Sequence, residues 1–218
     1  MPISVDLTSD ELLTTTRAVR RRLDLARPVP RALVEECLDI AIHAPTPSNS
    51  QYWDFVVVED AAKKKVIADY YRQAWAIYLT LPIAAPNLPV VGEQRMKEQL
   101  RATASAQYLA DHYHEVPILM IPCVHPRADK EEALLQCSFY GGVIQAGWSF
   151  QLAARARGLA SCWTSLHLMF EREIAELLGI DYDETQQVAG ICLGWSKGTD
   201  FKPSPREPLA DKLHWDSW

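Results

Sequence analysis

The sequence predicts one globular domain that mixes long helices with a few short, buried strands. Three observations lead there. Of the 218 residues, 48% are hydrophobic and 23% charged, the balance of a chain with a sizeable core and not of a disordered or collagen-like one. Phe55–Val58, Ile118–Val124 and Val188–Leu193 are short apolar runs, the pattern of strands buried on both faces. Lys130–Arg157 carries the longest helical pattern in the chain.

Thr8 and Glu11 have capping-box spacing, so a short helix starts near Ser9 and runs towards Thr16. A second helix spans Pro30 to about His43, with Leu33, Val34, Cys37, Leu38 and Ala41 at core-facing intervals, and Pro45 ends it. After the strand at Phe55–Val58, helix returns from Ala61 to about Tyr78. Pro82, Pro86 and Pro89 make Leu81–Val91 a loop, and the polar stretch Glu93–Tyr113 reads as an exposed helix. Residues 81–114 therefore form an excursion that covers something, within a single domain of residues 1–218.

The middle of the long helix, Phe139–Phe150, is apolar nearly all round and contains Gly141, Gly142 and Gly147. Such a helix is buried on every side, its glycines admit another backbone, and in a domain this small it invites a partner subunit. Gly158 suits the residue after its C-cap, Ala160–Thr164 a strand, and Glu171–Leu178 a helix stopped by Gly179. The tail, Lys197–Trp218, holds three prolines but also Phe201, Leu213, Trp215 and Trp218, so it docks on a surface, of its own subunit or another.

A net charge of -6 argues against general affinity for nucleic acid. Met1–Glu11 is not a basic start leading into an apolar run, and no apolar stretch approaches the roughly 20 residues of a membrane span, so the expectation is a soluble, cytoplasmic protein. The five cysteines are odd in number and widely spaced, four of them closely flanked by apolar residues, which suits reduced thiols in a core. No Cys-x-x-Cys pair or metal-binding histidine spacing occurs; His112 and His114 are only two apart, so no metal is expected.

Four constellations offer chemistry. Arg17 and Arg20 reach one anion from one side if the backbone there is helical or turned; otherwise they form a solvated basic face. Ala44–Trp53, with Pro45 and Pro47 fixing Thr46, Ser48, Asn49 and Gln51, is either a rigid loop that recognises a planar heterocycle or a plain helix stop. Gly158–His167 reads as a strand whose polar end offers backbone N–H groups to a ligand, unless Trp163 is plain core and His167 a satisfied surface residue. Arg206, set among Pro203, Pro205 and Pro208, is a third cation for a phosphate or an exposed loop arginine.

In this order, the early Arg-x-x-Arg, the Pro-Thr-Pro-Ser-Asn-Ser-Gln-x-Trp loop, the Leu-x-x-Ala-Arg-x-x-Gly-Leu-x-x-Cys-Trp run and the late Leu-Gly-Trp with Phe-x-Pro-x-x-Arg resemble the nitroreductase-like flavoprotein family over nearly the whole chain. The resemblance implies an α+β homodimer with a central, mainly antiparallel sheet flanked by helices, the long helix at the dimer core, and a C-terminal tail reaching the partner. It implies two FMN molecules at the subunit interface. Arg17, the Ala18 backbone, Arg20 and Arg206 would hold the phosphate. Pro45, Thr46, Pro47, Ser48 and Asn49 of the other subunit would line the ring, and the Thr164, Ser165 and Leu166 amides would face its N5 and pyrimidine edge. NAD(P)H would reduce the flavin and a small acceptor reoxidise it at the same open face, with no side chain serving as essential acid or base.

Three departures bear on individual contacts: Ala18 stands where many relatives have Ser, Pro47 where a small hydroxyl or Gly is common, and Ser204 where some place a second basic residue. The excursion would be a lid, with Trp75, Tyr108 and Tyr113 as candidate substrate-side residues. The same resemblance covers dehalogenases, enone or quinone reductases and flavin-fragmenting enzymes, and it leaves a non-enzymatic FMN-binding module or a purely structural dimer as alternatives.

Overall fold

The computed structural model describes residues 5–218. The elements, in chain order, are α1 (Ser9–Thr15), β1 (Leu23–Asp24), α2 (Arg31–Ala41), β2 (Trp53–Val58), α3 (Ala61–Thr80), α4 (Glu93–His112), β3 (Ile118–Val124), α5 (Ala133–Ala156), β4 (Leu159–Thr164), α6 (Glu171–Leu178), β5 (Gln186–Gln187) and β6 (Gly190–Ser196). Every strand pairing is antiparallel. β2 lies along one edge of β3, with Trp53 opposite Val124 and Val58 opposite Leu119. β6 and β5 share the other edge of β3, and β4 runs beside β6 from Leu159 opposite Trp195 to Thr164 opposite Gly190. β1 pairs with Ser196 and Trp195.

The continuous apolar runs follow from this layering, because side chains alternate across a sheet and both faces here are covered. Ile118 and Met120 of β3, with Ile191, Leu193 and Trp195 of β6, pack against Leu33, Val34 and Cys37 of α2 and Phe150 and Ala154 of α5. Leu119, Ile121, Cys123 and Cys192 point the other way, onto Ile67 and Tyr71 of α3, Leu109 of α4 and Ile174 of α6. Cys37, Cys123, Cys162 and Cys192 are buried free thiols as expected, whereas Cys137 is exposed. Burial pushes Cys37 up to about 11 and Cys123 up to about 12, which keeps both protonated and unreactive.

Local signals set the element ends. Thr8 Oγ1 accepts from the Glu11 amide at 3.2 Å while the Glu11 carboxylate accepts from the Thr8 amide at 2.8 Å, which closes the capping box. Gly158 at φ +77° and Gly179 at φ +73° end α5 and α6 in the left-handed region where glycine carries no Cβ penalty. None of the described helices is long and apolar enough to cross a membrane.

Two expectations need correction. Phe55–Val58 is not buried on both faces: β2 is an edge strand, and Val57 is 39% exposed. Two-residue strands β1 and β5 were not anticipated, because runs that short carry no periodicity. Within the single protomer α5 is buried at Val143, Ala146, Gly147 and Phe150, while Leu134, Ile144 and Trp148 form an exposed apolar stripe. Of the tail, Phe201 packs on the core with Arg22 and Arg155 over its ring, while Leu209, Trp215 and Trp218 are exposed in the single protomer.

Candidate functional site

Arg17 and Arg20 do not lie on a helix or share one turn, contrary to the condition set for them. α1 ends at its extended cap Thr16, residues 17–19 belong to no helix or turn, and the chain turns at Arg20, whose carbonyl accepts from the Leu23 amide at 3.1 Å. The Val19 amide donates to the Ser161 carbonyl at 2.9 Å, which lays this segment along β4. Both arginines nevertheless line one cavity of about 430 Å³ together with Ala18, Ser204, Pro205 and Arg206. Arg17 Nη1 donates to the Lys202 carbonyl at 3.4 Å, so the early and late motifs meet directly. α4 lines the same cavity through Arg95, Glu98, Gln99 and Arg101 among others.

A second cavity, about 300 Å³, opens on the other side of Arg17 and Ala18 and is walled by Ile144, Trp148 and Gln151 of α5 and Trp163 of β4. Its wall is mostly apolar, whereas the first is cationic. Among the described residues, Arg17, Arg20, Arg101 and Arg206 have no carboxylate within ion-pair distance; the ion pairs found involve other cations. Unpaired guanidiniums beside an apolar slot form a place for a molecule with a planar ring at one end and an anion at the other.

Gly147 makes the slot possible. A Cβ there would lie 2.7 Å from Trp163 Cζ3, so only glycine lets the indole lie against α5. Trp163 is therefore a wall of the slot and not plain core. Beyond it, Thr164 Oγ1 donates to the Gly190 carbonyl at 2.8 Å, and a one-turn helix begins at Leu166. Thr164, Ser165 and Leu166 line neither cavity, but they follow Trp163 directly at the strand end.

Pro45, Thr46, Pro47, Ser48 and Asn49 lie elsewhere. Their loop packs on the first half of α5, where a Cβ on Gly142 would be 3.5 Å from Thr46 Cγ2 and 3.7 Å from Pro47 Cδ. Ser48, Asn49 and Gln51 all have φ near +54°, held by the Gln51 amide donating to Thr46 Oγ1 at 3.2 Å. Left-handed backbone at non-glycine residues costs on the order of 1 kcal/mol each and concentrates at functional positions.

The lid candidates divide. Tyr113 is 2% exposed and stacks on Tyr71 at 4.1 Å, and Trp75 is buried with its Nε1 donating to Gln107 at 2.6 Å, so both belong to the core and not to a substrate surface. Tyr108 is half-buried beneath Arg21. His167 is no surface residue either: it is 1% exposed, neither ring nitrogen has a partner among the described residues, and burial pulls its pKa down to about 4. Sequence reasoning missed Ile144, Trp148 and Gln151 because a helix apolar on nearly all sides does not reveal which stripe faces a cavity. It missed Arg95 and Arg101 because an exposed polar helix is full of cations.

The Nitroreductase family model matches residues 13–195 of the chain. A 5,6-dimethylbenzimidazole synthase of Rhodospirillum rubrum is 27% identical over 198 residues, covering 87% of this chain and 81% of its own. A chloronitrobenzene nitroreductase of Comamonas testosteroni is 27% identical over 209 residues, covering 86% of each. Among solved structures, an iodotyrosine deiodinase bound to FMN and 3-iodo-L-tyrosine superposes with a TM-score of 0.71 at 20% identity, covering 96% of this chain and 99% of that one. The FMN-dependent nitroreductase NfnB of Mycobacterium smegmatis, in complex with NADPH, gives 0.67 at 18% identity, covering 96% and 98%. At these identities the structural likeness speaks for the fold.

Proposed function

The chain belongs to the nitroreductase family, and on that premise we propose that it is an FMN-dependent oxidoreductase, active as a homodimer, that passes electrons from NAD(P)H to a small acceptor such as a nitroaromatic or a quinone. The observation that carries this is the junction at Arg17 and Ala18, with unpaired arginines on one side and the slot between Trp148 and Trp163 on the other. That division of charge fits a mononucleotide with a planar ring.

In this reading Arg17, the Ala18 backbone, Arg20 and Arg206 hold the phosphate, each charge-assisted hydrogen bond contributing about 1.5–3 kcal/mol. Trp163 and Trp148 shield the ring side from water. The amides of Thr164, Ser165 and Leu166 supply fixed donors at the strand end, a positioning and electrostatic role that needs no side-chain acid or base. Bound FMN supplies the two-electron chemistry, and the open side of the slot serves donor and acceptor in turn. Residues 81–114 act as the lid that selects the acceptor.

The dimer follows from the two halves of α5. The 45–49 loop packs at Gly142, whereas the slot is walled by Ile144, Trp148 and Gln151, from about 3 to about 14 Å further along the helix, and none of residues 45–49 lines it. Within one protomer the loop is thus displaced from the slot. Two copies packed through the exposed stripe of Leu134, Ile144 and Trp148, with their α5 helices antiparallel, bring the 45–49 loop of each to the slot of the other. A reducing, cytoplasmic compartment suits the free cysteines.

The test is to purify the protein, record its visible spectrum and size, and add NADPH or NADH without oxygen. A yellow dimer whose flavin absorbance bleaches and then returns on adding a nitroaromatic or quinone is the expected result. A colourless monomer that takes up no FMN supplied in excess overturns the reading.

A further inference from the structure

The cationic cavity holds more positive charge than one phosphate needs. Arg17, Arg20, Arg95, Arg101 and Arg206 line it, and Glu98 is the one carboxylate on its wall. A bound phosphate monoester carries about two negative charges, so roughly two positive charges stay uncompensated. These arginines stand in two groups. Arg17, Arg20 and Arg206 belong to the segments joined by the Arg17–Lys202 contact, while Arg95 and Arg101 come from α4, which lines the same cavity.

Within α4 the cations are treated differently. Lys97 is paired with Glu93 at 2.5 Å, and Arg95 has Glu98 at 3.9 Å. The Arg101 Nε donates to the Lys97 carbonyl at 3.4 Å, and the side chain has no carboxylate partner among the described residues. A planar guanidinium left free on a cavity wall is suited to a carboxylate or phosphate, which it holds through paired N–H donors.

The geometry points to Arg101, assisted by Arg95, as a second anion subsite that receives the carboxylate or phosphate of a co-substrate docking beside the flavin. This rests on the reading that FMN occupies the cavity. Two sources share the chemistry: the 2′-phosphate of the nicotinamide donor, and an acidic group on an aromatic acceptor. Either makes the enzyme prefer an anionic co-substrate over its neutral counterpart, with α4 supplying the discrimination.

The experiment uses the FMN-loaded protein and equilibrium binding, read from perturbation of the flavin spectrum, so that it needs no turnover. NADP⁺ is compared with NAD⁺, and benzoate with benzamide, in the wild type and in Arg101→Gln, Arg95→Gln and Arg17→Gln; FMN affinity is measured separately by fluorescence titration. The expected result is a wild-type preference for the anionic member of at least one pair, which Arg101→Gln reduces about tenfold, the loss of one charge-assisted hydrogen bond. The pair that responds identifies the source. Arg17→Gln is expected to weaken FMN instead. The inference is overturned if the wild type prefers neither anion, or if Arg101→Gln leaves the preference intact. It is equally overturned if that variant weakens FMN as much as Arg17→Gln with no change in preference. A wild type that takes up no FMN overturns the functional reading itself, and this one with it, and the fluorescence titration alone reveals that outcome.

Discussion

Gly147 and Trp163 touch so closely that no other residue type at position 147 leaves the indole where it is: a Cβ would sit 2.7 Å from Cζ3 and 3.6 Å from Ile191 Cδ1. Alanine at 147 gains about 1 kcal/mol of helix propensity and loses about as much to overpacking, so global stability changes little. The ring escapes into the slot beside Ile144 and Trp148. Gly147→Ala is therefore expected to lower FMN affinity at least tenfold with a Tm of the apoprotein close to wild type, as fluorescence titration and thermal denaturation will show.

Placing a charge on the exposed stripe of α5 separates assembly from folding. Leu134 is 77% exposed in the single protomer and lines neither cavity, so Leu134→Asp costs little within it and leaves the slot wall intact. The variant should sediment as a monomer and lose FMN together with its partner. A monomer that keeps full FMN affinity would refute the shared site.

Arg127 is the best-satisfied buried cation. It donates to Asp129 at 2.8 and 2.9 Å, to Glu171 at 2.9 and 3.2 Å, and to the Tyr182 and Thr185 carbonyls at 2.6 and 3.2 Å. Arg127→Met strands Glu171, which itself accepts from the Gln187 amide. The expected loss is about 3 kcal/mol in urea denaturation, and less in the Arg127→Met/Glu171→Gln pair, because no charge is then left buried and alone.

His167 makes stability fall in mild acid. Its folded pKa of about 4 lies below the unfolded value of about 6.5, so below that value the unfolded chain takes up a proton that the folded one refuses. The folded state keeps its full advantage above about pH 6.5 and loses it as the pH drops towards 4. From about pH 7.5 to about pH 5 the loss should reach about 2 kcal/mol. In His167→Leu this component disappears, and the unfolding free energies from urea denaturation at the two pH values should move closer together by that amount.

The elements legible in the sequence were those with strong periodicity or a chemical end signal. The Thr8–Glu11 box, Gly158 and Gly179 each fixed a terminus within a residue or two, because a cap is a local contact and needs no tertiary partner. Phe55–Val58 misled for the opposite reason: composition cannot tell a central strand from an edge strand whose second face meets solvent. For the site, the meeting of Arg17, Arg20 and Arg206 was legible only through the family resemblance, because spacing alone does not show that positions so far apart share a cavity. His167 was misread because one polar residue beside a polar strand end looks exposed until the packing of Tyr113 and Gly190 around it is known.

The Arg17–Lys202 contact spans 185 positions of sequence, and β1 likewise closes onto Ser196. On the ribosome, the helices and β2–β3 can form while that closure waits for the last residues to emerge. For the proposed site, cofactor capture therefore waits for the last residues of the chain, and a protein truncated after Trp195 should be unable to retain flavin.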